Sequence, residues 1–227
     1  KWVSGTSSWA VMFTCSSDAD AWSTISFNGK IIATNWVDKV QVWVDSTPGT
    51  AFANMGSANG IDIGSGDYLT KAKLVFMYQN FVHFFYTQEA GTTYPARHRW
   101  CSSGTETDFD ETGSGNAGHR DYSAGTWVVG VGAYTAGGND LLVAMTNHTI
   151  ETEWLVTDEM VFDWKTVLHD AGCVAADSIV NDQDGNLYWL GTDACIHRFL
   201  DSTRISDDIK TTVADMHPTL KAQVRAT

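Results

Sequence analysis

Proline is scarce, with three residues in a chain of 227. Bases are few as well: fourteen Lys and Arg stand against twenty-seven Asp and Glu, a formal net charge of −13. A nucleic-acid-binding module needs a basic footprint, and this balance speaks against one. Charged residues total 18%, below the ~25% of an average globular domain. No run approaches the roughly 18 consecutive apolar residues of a membrane-spanning helix, so no membrane partner is expected. The four cysteines, at 15, 101, 173 and 195, form no CxxC pair and no zinc spacing with histidine. They read as two disulfides or as free thiols. No HExxH, GxSxG or phosphate-binding glycine loop occurs, and the histidines at 83, 98, 119, 148, 169, 197 and 217 are scattered. Neither enzymatic activity nor a cofactor is expected. The chain opens at Lys1-Trp2 with no signal-peptide pattern behind it, and reads as a processed chain or an internal piece of a longer one.

What is plentiful is aromatic and glycine: ten Trp, ten Phe, seven Tyr and twenty Gly. Aromatic and β-branched residues suit pleated, half-buried surfaces, and glycines suit tight turns. The pattern along the chain agrees. Asn28-Gly29 follows Ser26-Phe27 and precedes an apolar run from Lys30 to Asn35, a strong hairpin signal because both turn residues need positive φ. Lys39 to Val44 is the next strand. Lys73 to Tyr78 and Phe81 to Tyr86 flank Gln79-Asn80 as a second hairpin. Trp127 to Val131, Leu141 to Met145 and Ile150 to Leu155 form a third group, and Asn186 to Leu190 with Cys195 to Phe199 a fourth. Propeller blades of four strands recur every ~40–50 residues, and these groups follow a similar spacing. The expected fold is therefore all-β: a β-propeller of four-stranded antiparallel blades over residues 1–209, four to five in number. Its polar stretch near 88–123 reads as an inserted loop. Apolar residues at Ile209, Val213 and Met216 have helical spacing until Pro218, so residues 210–227 read as a short helical or extended tail, a linker or the start of a following segment.

Several clusters could carry chemistry. Asp182, Asp184 and Asn186 offer alternating oxygens for a metal, although Gly185 does not fall where a calcium loop places its glycine. The competing reading is a hairpin turn before Leu187. Asp18 with Asp20, and Asp108 with Asp110 and Glu111, are acid groups. A glycosidase would need two carboxylates facing each other across a cleft, whereas solvated loops need nothing. Asn147-His148-Thr149 matches a glycosylation acceptor in an expected turn, hence exposed. Arg97-His98-Arg99 is the one compact basic cluster. Period two puts the arginines on one strand face and His98 on the other. If Trp100 joins His98 on the buried side, Arg97 and Arg99 point outward and form a subunit interface; the competing reading is an exposed strand face whose partner charges lie nearby.

Three stretches resemble the β-propeller neck or nozzle proteins of tailed bacteriophages. One runs from Phe27-Asn28-Gly29-Lys30 to Asn35 and on through Asp38-Lys39-Val40-Gln41-Val42-Trp43. A second is Thr92-Thr93-Tyr94-Pro95-Ala96-Arg97-His98-Arg99-Trp100-Cys101, followed by Thr107-Asp108-Phe109. The third is Gly185-Asn186-Leu187-Tyr188-Trp189-Leu190-Gly191-Thr192-Asp193 through Phe199, closing with Arg204-Ile205-Ser206-Asp207-Asp208-Ile209. Ala194 and Cys101 depart from the glycine and serine usual there. The resemblance covers spaced motifs over most of residues 20–209. It implies a structural protein of the virion tail, a homo-oligomeric ring (six copies in similar nozzle proteins) in contact with portal, adaptor and tail proteins. Double-stranded DNA would pass through without specific binding, during retention and ejection. A lumen lined by acids would let the duplex slide, since phosphate contacts add affinity. The alternatives are a secreted carbohydrate-binding or glycosidase-like propeller, and part of a tail fibre or adhesin.

Overall fold

A computed structural model describes residues 2–3, 8–9, 11–17, 21–44, 50–123, 125–156 and 161–200. The expected C-terminal helical tail, Pro218, the 204–209 motif and the Asp18/Asp20 pair lie outside the described residues. The fold is all-β and of the propeller class, with four antiparallel blades. Contacts divide the chain into two compact units, Lys1–Tyr122 and Ser123–Thr227, with two blades in each.

The first unit begins with a two-stranded ribbon, β1 (Trp2–Val3) and β2 (Ser8–Trp9). Its first blade is β3 (Ser23–Phe27), β4 (Lys30–Thr34), β5 (Gln41–Val44) and β6 (Ala53–Asn54), paired in chain order. Asn28 and Gly29 sit at φ 49° and 72° between β3 and β4, the two left-handed residues of a type I′ turn. The second blade pairs β7 (Ile61–Asp62), β8 (Tyr68–Tyr78), β9 (Phe81–Glu89), β10 (Thr92–Trp100) and β11 (Gly118–Asp121), again in chain order. Gln79 and Asn80, at φ 49° and 63°, turn β8 into β9, and Ala90 and Gly91, at 46° and 81°, turn β9 into β10. Within this unit the blades are tied through side chains. Ser23 Oγ accepts the Val75 N–H at 3.0 Å, Thr34 Oγ1 donates to the Ala72 carbonyl, and Lys30 pairs with Glu106. Asn28 Nδ2 donates to the Gly104 carbonyl at 3.0 Å, so the turn of the first blade rests on the loop of the second.

The expected loop over 88–123 is corrected by this structure. It contains β10 and β11, and only the Cys101–Ala117 excursion between them lacks regular pairing. Polar residues and Pro95 disguise β10. The register between β9 and β10 shifts from Tyr94 to His98, and a bulge tolerates the N–H that proline cannot supply. Phe109, fully buried against Phe84 with ring centroids 5.2 Å apart, pins the excursion to the blade.

In the second unit the third blade is β12 (Val128–Tyr134), β13 (Leu141–Thr146), β14 (Thr149–Leu155) and β15 (Phe162–His169). The fourth is three-stranded: β16 (Val180–Asn181), β17 (Leu187–Leu190) and β18 (Ile196–Arg198). Burial alternates strictly along β12, as a strand with one covered face requires. The covered face carries Gly130 and Gly132. A Cβ on Gly132 would stand 2.8 Å from Leu187 Cδ1, so glycine here allows the two blades their close approach. Between them lies an apolar core of Tyr134, Val143, Met145, Ile150, Leu187, Trp189 and Phe199.

The four cysteines are free. Cys101, Cys173 and Cys195 are buried. Burial pushes the Cys101 thiol up to about 12 and the Cys173 thiol up to about 11.

Candidate functional site

The strongest concentration of chemistry lies on the second blade. Strands β9 and β10 meet through the Ala90-Gly91 turn, and β11 flanks β10 with Arg97 opposite Asp121 and Arg99 opposite His119. This register gathers two guanidiniums, three carboxylates and an imidazole. Arg99 grips Glu89 with two parallel bonds, Nε to Oε1 at 3.0 Å and Nη2 to Oε2 at 2.9 Å. Arg97 Nη1 donates to the same Oε2, also at 2.9 Å, so a single carboxylate oxygen bridges two cations. Thr87 Oγ1 adds a bond to Glu89 Oε1 at 2.7 Å. The rest of the Arg97 fork, Nε and Nη2, holds both oxygens of Asp121 at 2.7 Å. Arg99 Nη1 donates to Glu111, whose Oε1 also meets His119 Nδ1 at 2.6 Å. The Tyr94 ring lies 3.8 Å from the Arg97 guanidinium carbon, within cation–π range.

The other face of β10 is aromatic. His98 is fully buried and stacks on Phe85 with centroids 4.3 Å apart, and Trp100 joins it on that side at 5.2 Å. His98 Nε2 lies 2.7 Å from His83 Nδ1. The expected sorting of faces therefore holds, but the outward exposure of the arginines is corrected: Arg99 is 3% exposed and Glu89 is 3% exposed. The reason is the nearby carboxylates, the partner charges that the competing reading expected without naming them. Arg97 and Arg99 find their counter-charges on their own blade, and those charges cover them. Sequence reasoning missed Glu89, Asp121 and His119 because it read this stretch as a loop. The signal that could have found them is Thr87 and Glu89 at period two before the Ala90-Gly91 turn; the register shift between Tyr94 and His98 then leaves Arg97 and Arg99 within side-chain reach of Glu89.

Electrostatics follow from the geometry. Burial pushes the Glu89 carboxyl up, but the Arg99 hydrogen bonds and charge, with Thr87 and Arg97, outweigh it and hold it below the ordinary carboxylate range. Glu111 is likewise lifted by burial but lowered overall by His119 and Arg99, and Asp121 is lowered by the Arg97 hydrogen bonds. Asp121 in turn raises Arg97. A general acid working at neutral pH needs a raised carboxyl. These three are all lowered, so the cluster is organised to stay ionised and hold strands together.

The acid group at 108–111 is split. Asp110 Oδ1 accepts the Thr112 N–H at 2.8 Å and its hydroxyl at 2.6 Å, shaping the loop, while Glu111 is drawn to Arg99. Asp182, Asp184 and Asn186 lie in the turn before β17. There Asp182 Oδ1 accepts the Asp184 and Asn186 N–H groups at 2.9 Å each, and Oδ2 accepts from Asn186 Nδ2 at 2.8 Å and the Tyr188 hydroxyl at 3.0 Å. Both oxygens of Asp182 are thus engaged in building the turn. Among the described residues no group of three His, Cys, Asp or Glu side chains is arranged to hold a metal. Asn147 is not exposed as expected for a glycosylation acceptor. It is 8% exposed, and its Oδ1 accepts the Trp127 N–H at 2.9 Å; the asparagine closes a turn, which covers it.

No protein-family model matches this chain, and no curated protein matches it significantly.

Proposed function

We propose that this chain is a structural, non-catalytic propeller of a tailed-phage virion, a nozzle or neck component that assembles as a homo-oligomeric ring around the DNA path. One observation carries the reading. The arginines of the Tyr94–Trp100 motif, one of the three stretches that carry the resemblance to nozzle proteins, are spent on ion pairing within the second blade. A motif used in this way supports a load-bearing blade rather than a reaction centre. The net charge of −13 suits a protein beside DNA that must not bind it, since non-specific affinity grows with each phosphate contact. Cryo-electron microscopy and native mass spectrometry of the purified chain, with antibody labelling of virions, test the reading. Closed rings and label at the head–tail junction are expected. A strictly monomeric chain with no virion label overturns it.

One observation favours a second reading, a carbohydrate-binding propeller: Trp22, Trp127 and Trp164 are 43%, 46% and 43% exposed. Exposed indoles stack on sugar rings. A glycan array that lights up with the wild type and dims on Trp127→Ala would select it over the ring.

A further inference from the structure

We propose that β11, fastened with Glu111 of the excursion, is an acid-released clasp whose keystone is Glu89. Strand β11 has four residues and lies at the end of its sheet, paired with β10 alone among the described strands. A strand so short and one-sided gains little from its ladder. Beyond the Trp100 ring packed on Gly118, its side-chain fastenings are charged. Asp121 is gripped by Arg97, and His119 shares Glu111 with Arg99. Both arginines are in turn held by Glu89 on β9. The groups facing one another are thus Glu89 from β9, Arg97 and Arg99 from β10, Glu111 from the excursion, and His119 and Asp121 from β11.

Protonating Glu89 removes the only carboxylate that bridges the two guanidiniums. Arg97 and Arg99 then face each other as like charges in a buried site, where neither can shed its proton. Like charges at close range, out of water, repel strongly. The cheapest relief is for β11 to leave, so that water reaches β10. Glu111 and Asp121 are likewise held below the ordinary carboxylate range, and their protonation loosens the clasp further. The sign follows from the lowered carboxyls. Their stabilisation is full above the ordinary carboxylate range, about pH 4 to 4.5, and is lost as pH falls through their folded values.

Opening β11 bares the outer edge of β10, a row of unpaired N–H and C=O groups of the kind that accepts another strand. The device would thus convert acid into an available sheet edge.

Hydrogen exchange read by mass spectrometry, corrected for the intrinsic pH dependence of exchange, tests this on the full chain. Between pH 7 and pH 2, peptides covering 111–121 should lose at least about tenfold in protection relative to peptides covering 141–155. In Glu89→Gln the same loss should be present at pH 7, and tens of millimolar acetate should restore part of it by placing a carboxylate between the arginines. Should Glu89→Gln fail to fold, the wild-type pH series decides alone. Equal protection of both segments down to pH 2, or their simultaneous loss in one global transition, overturns the proposal.

Discussion

The second blade and the core of the second unit solve the same problem with opposite chemistry. Strands β9, β10 and β11 are laced by a buried ion network, with Arg99 and Glu89 each 3% exposed. In the second unit, Val143, Met145, Ile150 and Leu187 are fully buried and apolar. The difference teaches what each design tolerates. An apolar core fails in proportion to the volume removed. A buried ion network fails all at once, because a missing partner leaves a charge stranded. The ion network also reads pH and the apolar core does not.

The sharpest way to break this comparison is to remove one charge. Arg99→Ala strips Glu89 of its two-bond grip, leaving it one bond from Arg97, and takes the guanidinium from Glu111; it is expected to cost about 3–5 kcal/mol, measured by urea unfolding at pH 7. Replacing both partners, Arg99→Met with Glu89→Leu, should recover most of that loss, since an apolar pair of similar volume carries no stranded charge. If the double variant is as unstable as the single one, the network is not what holds the blade. Next in size, Leu187→Ala in the second unit should cost about 2–5 kcal/mol. Its cost should be the same at pH 7 and pH 4, whereas the cost of Arg99→Ala should shrink as the carboxylates that need it become neutral. A pH-independent Arg99→Ala penalty would erase the contrast between the regions. The smallest effect is expected at a turn. Gly29 has φ 72° with open space around its missing Cβ, so Gly29→Ala costs only the left-handed backbone term, about 1 kcal/mol, and thermal unfolding should shift by a few degrees.

The regions also differed in how far the sequence disclosed them. The hairpins at Asn28-Gly29 and Gln79-Asn80 were legible because positive φ selects a short list of residues, and the apolar runs beside them alternate or pack on both faces. The fourth blade was legible from Leu187 to Leu190 for the same reason. Strand β10 was not. Its residues are polar because their partners are polar, and hydropathy cannot distinguish a charge that meets water from one that meets an opposite charge. Backbone pairing sets Glu89 opposite Thr92 and Arg99 opposite Phe84, and it is the bulge between Tyr94 and His98, with the reach of the side chains, that joins Glu89 to Arg99. Asn147 failed in a related way: an asparagine in a turn reads as exposed, yet its side chain serves the Trp127 backbone. The resemblance drew attention to Arg97 and Arg99 but said nothing of the acids that surround them. Strands of two residues, such as β6, β7 and β16, carry no periodic signal at all.

The buried thiols give the two units separate witnesses. Cys101 lies in the first and Cys173 in the second, and burial lifts them to about 12 and about 11. Alkylation needs the thiolate, so neither sulfur reacts appreciably until its surroundings part. With iodoacetamide present, each cysteine becomes a chemical clock for its own half of the molecule, ticking only when that half breathes.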